Sequence, residues 1–102
     1  MTDLLTYEAF TNNLGSKFHV SIAPDRLVEL KLTEVSERKT YPRQEQFAIL
    51  FQGPSDAFLG QGTRLFNHET MGTFELFVVP VRQDDQGFYY EAIFNRFREE
   101  TS

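Results

Sequence analysis

The stretch FAILFQGP, residues 47–54, decides the fold: an unbroken apolar run from Phe47 to Phe51 is stopped by Gly53 and Pro54. The run is too short for a buried helix and is bounded by turn formers, so it reads as a central strand covered on both faces. A second stretch makes the same demand. From Thr73 to Val81, alternation puts Phe74, Leu76 and Val78 on one face and Phe77, Val79 and Val81 on the other, apolar both ways. A flat sheet would leave one of those faces in water, whereas a sheet that curls or stacks hides it.

Working outward, the period of two recurs. Phe88, Tyr90, Ala92 and Phe94 alternate with Tyr89, Glu91 and Ile93 in a strand reaching Phe97, and Thr63 to Asn67 makes another. Upstream, Phe18, Val20 and Ile22 alternate with Lys17, His19 and Ser21; Pro24 and Asp25 turn the chain, and Val28, Leu30 and Leu32 return it as a hairpin. Val35 breaks that phase, the mark of a bulge or a strand end. Pro80 has no amide hydrogen to give a ladder, which places its strand's end at an edge or beside a bulge. The polar stretch from Ser36 to Glu45, the segment Ala57 to Gly62 and the acidic stretch Arg82 to Gly87 read as loops. Before the first strand the period is helical. Thr6 can cap the helix, Leu5 can staple onto Phe10, Tyr7, Phe10 and Leu14 form one stripe, and Gly15 ends it. The expected fold is mainly β: one domain over residues 1–102, a small antiparallel barrel or sandwich of about six strands, with a short N-terminal helix over an open end or face.

Composition narrows the function classes. The chain has 102 residues, 40% hydrophobic and 15% aromatic, with 11 Phe and 4 Tyr, which suits one packed core rather than disorder. Its net charge of −5 opposes phosphate backbones and anionic membranes, so neither nucleic acid nor a membrane is an expected partner. There is no Cys, hence no disulfide, thiolate nucleophile or zinc–thiolate site, in keeping with the cytoplasm. Met1 to Leu5 carries an acid and no long apolar stretch, unlike a secretory signal.

Each chemically suggestive residue has a plainer reading. His19 alternates with core positions and should face solvent, His68 falls in a turn, and neither has a second ligand at metal spacing. Asp84 and Asp85 precede Gly87 as turn formers do, without the spacing of a calcium loop. Ser55, in GPSDA, lacks the second glycine of a nucleophile elbow. Gly60 and Gly62 lack the third glycine of a dinucleotide site and serve instead as backbone permission. Arg96, Phe97 and Arg98 could stack on bases, but Glu99 and Glu100 cancel their field. No metal or cofactor is expected.

The residues FAILFQGPSDAFLGQGTRLFNHETMGTFELFVVPV from Phe47, followed by YYEAIFN, resemble an uncharacterised family of short bacterial proteins, and the opening LTYEAF with Leu14 and Gly15 is similar to that family's start. Arg64 departs from the aromatic that the pattern implies after Gly62 and Thr63. The resemblance implies this size and fold and carries over no catalytic residue; relatives near phage-tail-collar-like proteins imply an accessory or assembly role. The leading expectation is therefore a noncatalytic interaction module that meets a protein partner or its own copy through Phe77, Val79, Tyr89 and Ile93. A second is a barrel that takes an apolar small molecule at its mouth, by the loop of Phe58, Leu59, Gly60 and Gly62. A third, ranked last, is an acid–base enzyme using His68 with Glu69 or Glu91.

Overall fold

The computed structural model describes residues 5–42 and 44–97. A helix, α1 (Tyr7–Asn12), precedes strands β1 (Lys17–Ala23), β2 (Arg26–Val35), β3 (Lys39–Tyr41), β4 (Gln44–Gly53), β5 (Gly62–His68), β6 (Gly72–Asp84) and β7 (Gly87–Phe97). The strands neighbour one another in the order β2–β1–β5–β6–β7–β4–β3, and a further β2–β4 ladder closes the first six into an antiparallel barrel. It is a barrel, not a sandwich.

β4 is the strand on which the barrel closes. One of its edges pairs with β7 from Gln44↔Phe97 to Gly53↔Phe88. The other edge is shared: β2 takes Ile49 to Gln52, and β3 takes Gln44 to Gln46. Phe47, Ile49 and Phe51 are buried inside, while Ala48 and Leu50 are half-buried outside, so the apolar run is covered on both faces as read. Part of the outer cover is the chain at Ser36, whose Oγ accepts from the Ala48 amide at 2.8 Å and whose own amide donates to the Ala48 carbonyl at 2.8 Å.

Several boundaries differ from expectation. The stretch 36–45 is not all loop, because Lys39 to Tyr41 finds the edge of β4 that β2 leaves unpaired; its three side chains are all exposed, so no apolar pattern announces it. Leu14 is 51% exposed, not part of a buried stripe, because the helix ends at Asn12 before the third turn position is reached. The stretch 82–87 shrinks to a two-residue turn, since β6 continues to Asp84 and pairs it with Gly87. Other details agree. Thr6 Oγ1 accepts from the Ala9 amide at 3.0 Å as the N-cap, β2 shifts register against β4 between Leu32 and Glu34, and β6 shifts against β7 between Pro80 and Arg82.

The barrel interior is filled by rings. Phe18 lies against the rings of Phe10, Phe51, Phe66, His68 and Phe74, with centroids 4.2–6.5 Å apart. Phe10, from α1, closes one end: its ring meets Phe47 and Phe94 on β4 and β7 and Phe74 on β6. Leu59, 2% exposed in the 54–61 loop, is buried in the same core. At the other turn, Gly87 has φ +131, and a Cβ there would come within 1.9 Å of the Gly53 carbonyl oxygen, so the start of β7 can lie flat on the end of β4 only without a side chain.

Replacing Phe18 by Ala removes the ring that the others share. The expected loss is about 3–5 kcal/mol of unfolding free energy, read as a lower urea midpoint at unchanged m-value; a loss below about 1 kcal/mol would show that the ring cluster does not hold the barrel.

Candidate functional site

Two corners carry polar chemistry. The first is built where the chain leaves α1 and where β5 turns into β6. His68 is the last residue of β5, in phase with buried Phe66, so its ring faces inward and is only 6% exposed. The reading of His68 as an ordinary turn residue is corrected accordingly. Its Nδ1 accepts from the amides of Thr70 and Met71, each at 3.1 Å, and thereby caps the turn that follows. Its Nε2 is 2.9 Å from Ser16 Oγ, and that hydroxyl donates to the Asn13 carbonyl at 2.6 Å.

This network assigns the tautomer. With two amide N–H groups aimed at Nδ1, the ring proton sits on Nε2 and is donated to Ser16. Ser16 and His68 are therefore arranged in the opposite sense to a nucleophile and its base: the imidazole gives a proton to the hydroxyl's lone pair and has no lone pair left to receive one. Glu91 lies half-buried on the outer row of β7, opposite Val79 and Leu50, and the barrel wall separates it from the inward ring. Glu69 is exposed in the turn. The cleft over this corner, about 740 Å³ in volume, is lined by Asn13, Ser16, Lys17 and His19 with Asn67 to Thr70. His19 faces solvent as expected, 3.8 Å from Glu29.

Among the described residues no group of three His, Cys, Asp or Glu side chains is placed to hold a metal ion. Asp84 Oδ1 accepts from the Gln86 amide at 2.8 Å, which is turn chemistry. Arg98, Glu99 and Glu100 lie outside the described residues, as do Met1 to Leu4.

The second corner is the 54–61 loop. Its Leu59 amide donates to the Tyr90 hydroxyl at 2.9 Å, and its Gly60 carbonyl accepts from Arg64 Nη2 at 2.9 Å. Burial raises the Tyr90 pKa, while the Leu59 hydrogen bond and the Arg64 charge pull it down. Phe58 is 58% exposed, its ring edge-on to Phe88 at 5.0 Å. Gly62, but not Gly60, has a positive φ. Sequence reasoning missed the inward His68 because ending β5 at Asn67 left it out of the strand in which it shares a face with Phe66; Arg64 shared that face within the expected strand, but stood out only as a departure from an aromatic pattern.

Of the outer-face residues, Ile93 is 69% exposed and Phe77 51%, whereas Val79 is half-buried. Tyr89 is 7% exposed, with the Arg82 guanidinium 4.2 Å above its ring. Its ring is covered rather than presented.

Burial depresses the His68 pKa, the Glu69 charge raises it and the His19 charge lowers it. A histidine that is harder to protonate folded than unfolded stabilises the fold fully above the ordinary pKa of about 6.5, and that stability drains away as pH falls toward the folded value. Melting temperature should thus fall between about pH 7 and about pH 5.5, and the His68→Gln variant, although less stable throughout, should show a shallower slope. An identical slope in both proteins would assign the pH dependence elsewhere.

No curated protein and no solved structure matches the chain. One family model does, over residues 5–94, from the residue before the helix cap to the inward Phe94 of the last strand. That span takes in β1 to β6 and most of β7, and the chain belongs to this family, a domain of unknown function, DUF6916.

Proposed function

We propose that the chain is a noncatalytic interaction module, which associates with a protein partner or with its own copy through the outer face of β5, β6 and β7. The observation that supports this reading is apolar surface outside a barrel whose core is already packed with rings. Phe77 and Ile93 are the next outward positions along their strands beyond the Val79↔Glu91 pair, and Leu65, 43% exposed, is diagonal to Phe77 across the β5–β6 ladder. Burying such side chains contributes roughly 25 cal/mol per Å² of apolar area, before the costs of association. His68 commits both ring nitrogens to the fold, so the reading includes no catalytic role for it.

The context proposed with it is a bacterial, cytoplasmic accessory or structural role of the phage-tail type. That context rests on the sequence resemblance and on a cysteine-free composition. Among the described residues no helix is long and apolar enough to cross a membrane, and the charge of −5 argues against nucleic acid.

Light scattering at micromolar concentration, with affinity capture from the native host, should report a dimer or a defined complex. The double variant Phe77→Ser with Ile93→Ser should dissociate it while melting close to the parent, since both side chains stand largely in water. A strict monomer without a copurifying partner, or an assembly indifferent to the double variant, would overturn the reading.

A further inference from the structure

Arg64 stands where a small β-barrel does not ordinarily place a charge. β5 buries Phe66 and His68 and exposes Thr63, Leu65 and Asn67, so Arg64, half-buried, lies on the inward row. Its partner across the ladder is buried Leu76. Nη2 reaches the Gly60 carbonyl, but Nε is buried and, among the described residues, no group accepts from it. The ion pairs of the described residues are Lys17 and His19 with Glu29, and Arg38 with Glu8 and Glu45; none includes Arg64. A partly buried guanidinium matched by a single carbonyl is costly, because buried cations are ordinarily paired with an anion.

We propose that Arg64 and the 54–61 loop form a receptor for the carboxylate of a small aromatic acid, a site separate from the outer face. The guanidinium is the side chain best shaped to take a carboxylate with two parallel hydrogen bonds. The rest of the ligand is set by two further facts. A protein of charge −5 gives a bare anion little attraction at long range, so the ligand needs apolar contact as well. Phe58 supplies it: two residues from Gly60 in the same loop, its ring is mostly exposed and backed edge-on by Phe88. The interior beyond is closed by Leu59 and Tyr90, both buried, so the ligand lies across the mouth and meets the guanidinium through its terminal nitrogens, not through the buried Nε.

The test is a nitrogen-15 amide-shift titration of the whole chain with phenylacetate, with N-acetylphenylalanine and with neutral phenylacetamide, each to about 10 mM so that affinities near 1 mM register. The expected result is saturable movement of the Leu59, Gly60 and Gly62 amides with the acids, at least tenfold weaker with the amide and in the Arg64→Met variant. Tighter binding of phenylacetate than of N-acetylphenylalanine supports a free small acid as the natural ligand; the reverse order points to the carboxy-terminal residue of another chain and overturns that part. Equal shifts with acid and amide, shifts confined to other regions, or none at all overturn the site, and these outcomes need only the unaltered protein should Arg64→Met fail to fold.

Discussion

Closure of six strands into one cylinder sets the volume that the side chains must fill, and the contact of Phe18 with its ring neighbours is how this sequence fills it. A barrel of so few strands has room for side chains and little else. Rings from β1, β4, β5 and β6 converge on one point, and the helix adds Phe10 because the circle of strands leaves an end uncovered. Most of the aromatic surplus in the composition is thus interior. The aromatic rings of Tyr41, Phe58 and Phe77 are exposed.

That packing separates the two polar corners in kind. At the α1 end, hydrogen bonds engage both ring nitrogens: His68 serves two amides and a hydroxyl, and Ser16 and Asn13 pass the network to the helix. Such a network holds a fold and has no capacity to spare. At the loop end a cation stays only partly satisfied.

Most of the architecture was legible because period and phase survive in strands that bury one face. Lys17–Ile22, Val28–Leu32, Thr73–Val81 and Phe88–Phe94 all announce themselves through alternation, and Pro80 and Val35 marked real register shifts. β3 was illegible since Lys39, Thr40 and Tyr41 join the sheet through backbone alone. Burial of His68 escaped notice because one residue at a strand end separates a turn position from a core position. Tyr89 read as outward and available; yet Arg82, its ladder partner on the neighbouring strand, covers the ring, a pairing set by the register shift between Pro80 and Arg82 and by no local pattern.

The long β4–β7 ladder also has a bearing on how the chain reaches its fold. Gly53 pairs with Phe88 and Gln44 with Phe97, so the most apolar strand completes its longest ladder only with a strand far downstream in the chain. Contacts this distant in sequence are slow to form, and contact order sets the pace. Until β7 emerges from the ribosome, Phe47 to Phe51 can pair only along the edge that β2 and β3 take, and its other edge stays open on the nascent chain, a place for a holdase chaperone to engage.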